Sequence, residues 1–355
     1  MSNSNIKKSG DFKKWLIVGL GISFISFSFY AYQIYFTANF NLNKEKDSKK
    51  PSVYLLIPTG GNFQNVLDTL EKHKWVEDEL SFLFLSKLMN YRDHVKPGRY
   101  ELKPDAANLE VIKMLKRGQQ TPVKVTFNNL RLKRDLAERF GSILEPRPVE
   151  IYKLLNDTGF VRKFGFDTTN IVCMFLPNTY EMYWNISAKE LFEKMNKEYK
   201  KFWNAERMAK ANTIGLTPVQ VSVLASIVEA ETNKPSERPI VAGVYINRLK
   251  VDMPLQADPT LVFICGDFNL KRVLDIHKEN NSPYNTYKFK GLPPGPIRIP
   301  DIKTLDAVLN YEKTKYLYFC ASSTNLGYHA FGETYKEQIN NAKLYQKYLN
   351  ENNIR

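Results

Sequence analysis

Residues 217–232 read TPVQVSVLASIVEAET, and they set the terms for the rest of the chain. Thr217 suits a helix N-cap, Pro218 the first helical position, and Gln220 completes a capping box three residues on. The helix that follows is apolar almost all round, through Val219, Val221, Val223, Leu224, Ile227 and Val228, so it has to lie in a core. One narrow face differs. Ser222, Ala225, Ser226 and Glu229 recur at helical spacing, so a stripe of small side chains, with room for a ligand, leads to a single carboxylate. Desolvation there favours the protonated form, which a general acid needs. Glu231 sits two positions on, about 200° further round the helix, and is expected to face other surroundings. On spacing alone Glu229 is either that acid or the ion-pair partner of Arg248 or Lys234. Glu237 reads as favourable charge at the start of the next helix.

Outward from this helix the pattern is mixed, an α+β chain. Two helices from Leu216 onwards give way to loops rich in Pro, Gly and Asn. A strand pair follows around Tyr316–Ser322 and Tyr328–Phe331, then an amphipathic helix carrying Tyr335, Ile339, Ala342, Tyr345 and Leu349. Upstream, residues 128–205 are mostly helical in pattern. They hold one aromatic loop, MFLPNTYEMYW (Met174 to Trp184), which is either a surface for a sugar ring or a buried turn. Residues 53–127 alternate strand-like runs (Val53 to Ile57, Gly98 to Leu102, Val123 to Phe127) with helical ones (Phe63 to Lys72, Glu77 to Leu88, Leu109 to Lys116).

Near the start, Trp15 to Phe36 runs for 22 residues without a charge. As a helix it spans roughly 30 Å, the thickness of a bilayer's hydrocarbon core. It lacks the short apolar region and small-residue cleavage site of a signal peptide, so an uncleaved anchor is expected. Lys7, Lys8, Lys13 and Lys14 before it place the N-terminus inside and the bulk outside; Lys44, Lys46, Lys49 and Lys50 after it weigh the other way. Thr37 to Ser52 reads as a tether. The net charge of +14 is spread without a Lys/Arg stripe, which fits an anionic membrane surface better than nucleic acid. Cys173, Cys265 and Cys320 have no zinc-ligand spacing, and the last two read as small core residues.

The ordered blocks ASIVEAET, SERPIVAGVYINRLKVDMPLQADPT, SPYNTYKFKGLPPGPI and YLYFCASSTNLGYHAF, with FLPNTY upstream, resemble the YceG-like family of endolytic murein transglycosylases. The resemblance implies a transmembrane helix (15–36) after a cytoplasmic tail (1–14), a tether (37–52), a small LysM-like α/β domain (53–127), a helical connecting region (128–205) and a catalytic domain (206–355). It implies Glu229, the first acid of the V-E-x-E-T block, as the catalytic residue. It also puts Glu231, Asn247, Arg248, Gln256, Asp258, Thr260, Tyr284, Asn285, Thr286, Tyr287 and His329 at family positions. Ser226 joins them on the helix stripe as a candidate substrate contact.

Gln256 and Asp258 carry groups suited to sugar hydroxyls, though Asp258 equally suits a helix cap. The tyrosines combine stacking faces with polar tips, His329 is either structural or cleft-lining, and the glycines of GLPPGPI suit a stiff loop. With one well-placed carboxylate, the expected chemistry is substrate-assisted cleavage of the MurNAc–GlcNAc bond to a 1,6-anhydro end, using no metal and no cofactor. The alternatives are a hydrolase in which Glu231 or Asp258 activates water, and a non-catalytic peptidoglycan-binding scaffold. Expected partners are glycan strands, the inner membrane, which a single pass would leave with the catalytic domain on its periplasmic side, and peptidoglycan synthases.

Overall fold

The computed structural model describes residues 4–42, 53–270 and 272–352. The chain divides into two compact units, Met1–Val123 with Glu181–Asn185, and Lys124–Tyr180 with Ile186–Arg355.

The first unit begins with helix α1 (Ser4–Phe36), whose segment Phe12–Phe36 is long and apolar enough to cross a membrane. Every residue from Phe12 to Tyr30 is exposed. Strands β1 (Val53–Ile57) and β2 (Gly98–Leu102) pair antiparallel with Leu55 opposite Tyr100. Alternation turns Leu55, Ile57, Tyr100 and Leu102 inward, where they are buried. Helices α2 (Phe63–His73), α3 (Glu79–Leu88) and α4 (Asn108–Arg117) contribute Val66, Leu70, Phe82, Leu85, Val111, Ile112 and Leu115 to the same core. The segment after α1 departs from the expected tether. Phe40 and Leu42 are buried in this core, and residues 38 and 40 make single bridges to Ala107 and Val76. Their apolar side chains have a core within reach, and burial outweighs the polar character of the residues around them. The rest of the expected tether, 43–52, lies outside the described residues.

Strands β3 (Val123–Thr126) and β4 (Thr179–Met182) form a two-stranded sheet. The second unit continues with helices α5 (Lys133–Gly141), α6 (Pro148–Leu155), α7 (Thr158–Arg162), α8 (Ala188–Phe202) and α9 (Ala205–Ile214). Then come α10 (Pro218–Glu231), α11 (Arg238–Lys250), α12 (Asp258–Cys265), α13 (Asp275–Lys278) and α14 (Ile302–Leu309). Antiparallel strands β5 (Tyr318–Ala321) and β6 (His329–Gly332) and helix α15 (Tyr335–Glu351) close the unit.

Helix α10 starts as its sequence dictates: Thr217 accepts the Gln220 N–H, and Gln220 accepts the Thr217 N–H. Its residues Val221 to Glu229 are all buried, against α11, α12 and α14. Leu224, Ile227 and Val228 share a core with Val241, Tyr245, Leu305 and Val308. The aromatic loop before α8 is largely a buried turn, with Met174, Phe175, Leu176, Tyr180 and Met182 inside. Cys265 is exposed, because it is the last residue of α12 and not part of a core; Cys320 is partly exposed.

Candidate active site

The last turn of α10 opens onto a cleft of about 580 Å³ whose walls include Glu229, Ala230, Glu231, Asp258 and Arg298. Glu229 is 7% exposed, yet both carboxylate oxygens are engaged. Its Oε2 accepts the backbone N–H of Asp301 at 2.7 Å and the Thr304 hydroxyl at 3.0 Å; its Oε1 lies 3.1 Å from the Arg298 guanidinium. A carboxylate at the negative end of a helix dipole needs such donors. They come from the turn that starts α14, where Asp301 caps the helix by accepting the Thr304 N–H at 2.7 Å. Arg238 fastens that turn, donating to Asp301 at 2.9 Å and to the Thr304 hydroxyl at 2.7 Å. Burial pushes the Asp301 carboxyl up, but the Thr304 N–H and Arg238 more than offset it and hold it below the usual carboxylate range. The expected partners Arg248 and Lys234 are not those of Glu229; Arg298 is.

Glu231 shares the cleft, contrary to the helical-wheel argument. The two side chains leave α10 in different directions, but the helix ends at Glu231, with Thr232 already extended, and both border the same opening. Glu231 accepts the Tyr245 hydroxyl at 2.6 Å. Burial, with the nearby charge of Asp258, pushes its carboxyl up to about 7 against the Tyr245 hydrogen bond and the pull of Arg248. Asp258 stands at the first turn of α12 and accepts the Tyr287 hydroxyl, while the cap position belongs to Ala257. Three carboxylates therefore line the cleft. Arg131, Arg272 and Arg298 also line the cleft, with the Arg131 guanidinium over the Phe268 ring, and Phe263 adds a second aromatic side chain. Among the described residues the buried Arg298 Nε has no protein acceptor.

Residues 55–344 match the sequence model of the YceG-like family. The chain belongs to the YceG-like family. It is 29% identical over 328 residues to the endolytic murein transglycosylase of Bacillus subtilis, covering 87% of this chain and 88% of that protein. It is 27% identical over 311 residues to the protein of the same name from Streptococcus pneumoniae, covering 78% of this chain. The match takes in 55% of that relative, so the chain spans about half the length of the pneumococcal proteins. A YceG-like protein of Listeria monocytogenes has a similar crystal structure, with a TM-score of 0.55 at 26% identity, over 82% of this chain and 99% of that one.

Most family-pattern positions of this YceG-like chain hold the walls in place. The Ser226 hydroxyl is fully buried, donating to the Val223 carbonyl at 2.6 Å and accepting the Ile297 N–H at 3.1 Å. The small-residue stripe thus receives the GLPPGPI loop and leaves no room there for a ligand. Gly295 in that loop passes so close to Thr169 that a Cβ would stand 2.3 Å from its carbonyl oxygen. Asn247 donates to the Thr314 and Tyr316 carbonyls, and Arg248, 7% exposed, to those of Leu317 and Leu255. Thr260 and Thr286 are buried and bond to each other at 2.9 Å; Asn285, also buried, donates to the Lys278 and Asn280 carbonyls. Gln256 is exposed and outside the cleft wall, its N–H donating to the Thr286 carbonyl at 2.9 Å. Tyr284 packs on Phe263 with ring centroids 4.9 Å apart. His329 binds Glu237 by its ring Nδ1 at 2.9 Å and its N–H at 2.6 Å, and Thr232 donates to the same carboxylate at 2.9 Å. Glu237 is thus a clasp between the end of α10 and β6, with no capping bond to α11.

Sequence reasoning missed Arg298, Asp301, Thr304 and Arg238, the residues that surround Glu229. The D-x-x-T of Asp301 and Thr304 is a readable helix cap, and Arg298 follows the GLPPGPI block directly. Nothing local in either signal points to Glu229, which is 69 residues away from the nearer of them.

Proposed function

We propose that this chain is an endolytic lytic transglycosylase of peptidoglycan, with Glu229 as its acid and base. The observation that carries the reading is a buried carboxylate on a cleft wall, fixed by Arg298, the Asp301 N–H and the Thr304 hydroxyl. Three donors fix the carboxylate's position, which a proton-transfer group must keep throughout the reaction. Glu229 protonates the glycosidic oxygen leaving C1 of N-acetylmuramic acid, and that C1–O bond breaks. The acetamido group of the sugar shields the positive charge growing at C1. The C6 hydroxyl then closes on C1 and returns its proton to Glu229, leaving a 1,6-anhydro end without consuming water. Relatives named endolytic murein transglycosylases support the substrate class.

On this reading α1 is a single-pass anchor, the bulk of the chain lies outside the cytoplasmic membrane, residues 53–127 act as a LysM-like module, and peptidoglycan synthases are partners. The test is mass spectrometry of peptidoglycan digested by the full chain in detergent, beside its Glu229→Gln counterpart. Anhydro-ended fragments from the first alone support the proposal; no cleavage by either sinks it.

A second reading draws on the presence of Glu231 and Asp258 in the same cleft as Glu229. If one of them activates water, the enzyme is a hydrolase with two carboxylates. Digestion in ¹⁸O-water distinguishes the two, since only hydrolysis puts the label on the new reducing end.

A further inference from the structure

Helix α3 presents an apolar face to the outside. Leu80, Phe84 and Leu88, at i, i+4 and i+8, are 77%, 55% and 58% exposed, while Phe82 and Leu85 on the other side are fully buried. A stripe of three large apolar side chains on one short helix is unusual for a surface that meets only water. Its position in the first unit is specific. Asn39, three residues beyond the end of α1, is buried; its Nδ2 donates to the Asp78 carbonyl at 2.9 Å and its Oδ1 accepts the Asp78 N–H at 2.6 Å. Asp78 is the N-cap of α3. The Asn39 carbonyl also accepts the Glu77 N–H at 2.9 Å. Asn39 donates to Asn108 at 2.8 Å, and Asn108 donates to the Ile34 carbonyl in the last turn of α1 at 3.3 Å. The last turn of the apolar helix, the cap of α3 and the start of α4 are one polar knot, and Ile34 and Phe40 on either side of Asn39 are buried with it.

We infer that α3 is an interfacial helix, with Leu80, Phe84 and Leu88 seated in the lipid at the boundary between headgroups and acyl chains. The inference rests on the reading of α1 as a membrane span. If α1 crosses the bilayer, the knot holds the start of α3 where the chain leaves it, because only Thr37 and Ala38 separate Phe36 from Asn39. Tyr32 and Phe36 are exposed at the end of α1 and Leu80 at the start of α3, and the two helices touch. Lipid is the occupant that this attachment to a membrane span selects. A helix of this kind buries its apolar face about 5–10 Å into the boundary, and Lys87 on its exposed side is long enough to reach back to the headgroups. The first unit would then touch the membrane at two places and could not swing about the anchor.

The experiment uses the full chain in vesicles of phosphatidylethanolamine and phosphatidylglycerol. Cys265 and Cys320 are replaced by Ser, and an environment-sensitive fluorophore is attached at Leu80→Cys, Phe84→Cys, Phe24→Cys or Lys113→Cys in turn. The lipids carry a nitroxide either near the headgroup or at the end of the acyl chain. The labels at positions 80 and 84 should be blue-shifted and lose most fluorescence to the shallow nitroxide. The label at 24 should lose it to the deep one, and the label at 113, an exposed position of α4, to neither. Labels at 80 and 84 that behave like the one at 113, with 24 still quenched, overturn the inference while the anchor stands. A label at 24 that escapes both nitroxides removes the anchor and the inference with it.

Discussion

The carboxylate of Glu229 accepts the backbone N–H of Asp301 at 2.7 Å, and the Asp301 side chain caps the helix that supplies Thr304 to the same carboxylate. Helix initiation and placement of the proposed acid are therefore one construction. Its two side chains can be separated experimentally. Asp301→Ala removes the cap at a cost of about 1–2 kcal/mol but keeps the N–H that reaches Glu229. Thr304→Val removes a donor to Glu229 itself. The first variant is expected to lose more thermal stability than turnover, and the second more turnover than stability. Equal effects on both quantities in both variants would deny the distinction.

Glu229→Gln should leave a folded protein that cuts glycan strands about 10²–10⁴-fold more slowly. The amide oxygen can still accept Asp301 and Thr304, while the NH₂ group is left facing Arg298, for a stability loss of about 1–3 kcal/mol. Circular dichroism and the product assay check the two halves separately. A variant of normal activity would move the chemistry to Glu231 or Asp258.

Glu231 makes stability depend on pH in a particular direction. Its folded carboxyl titrates at about 7, above the ordinary value of 4.5, so the folded state binds the proton more tightly. Stability is then fully present below about pH 4.5 as far as this group is concerned, falls as pH rises to 7, and levels off above it. The shift corresponds to at most about 3 kcal/mol. Glu231→Gln keeps an acceptor for the Tyr245 hydroxyl and should be the more stable protein above pH 7, with little difference at pH 4.5. Melting curves across that range test the sign.

The Glu237 clasp has the opposite sign. Burial pushes its carboxyl up, but the His329 N–H and ring and the Thr232 hydroxyl outweigh burial and hold it below the usual value. Its contribution is present above the unfolded pKa and is lost as pH falls through the folded one. Glu237→Ala should cost roughly 3 kcal/mol or more at neutral pH and flatten the acid limb of the stability profile. An unchanged acid limb would show that the clasp does not titrate as argued.

The legible parts of this fold are those set by local rules. The cap and first turn of α10, the run of buried apolar residues behind it, and the strands Val53–Ile57 and Gly98–Leu102 all follow from neighbours within one helical turn or one pleat. The site is legible only in part. Glu229 stands out because it is the polar end of an apolar helix, whereas Arg298 and Thr304 reach it from 69 and 75 residues away, through a loop whose course no periodicity describes. The wheel that keeps Glu231 out of the cleft is correct for a continuing helix and fails because this one stops. Thr37 to Ser52 reads as a tether because most of it is polar and charged; at its start two apolar side chains, Phe40 and Leu42, are enough to bind residues 37–42 to a core.

Arg248, Asn247, Asn285, Thr260 and Ser226 share a property that matters for how such chains are recognised. Each puts at least one polar side-chain atom on a backbone group outside its own turn or on a side chain of a neighbouring loop, stapling one segment to another. In this chain the blocks that carry these residues are therefore places where its loops are joined. A descendant that replaced Glu229 alone would keep every staple, fold much as this chain does, and still be found by its sequence. On the proposed role of Glu229, the residues that hold the fold and the residue that performs the chemistry are different ones, and a silent protein of the same fold is one substitution away.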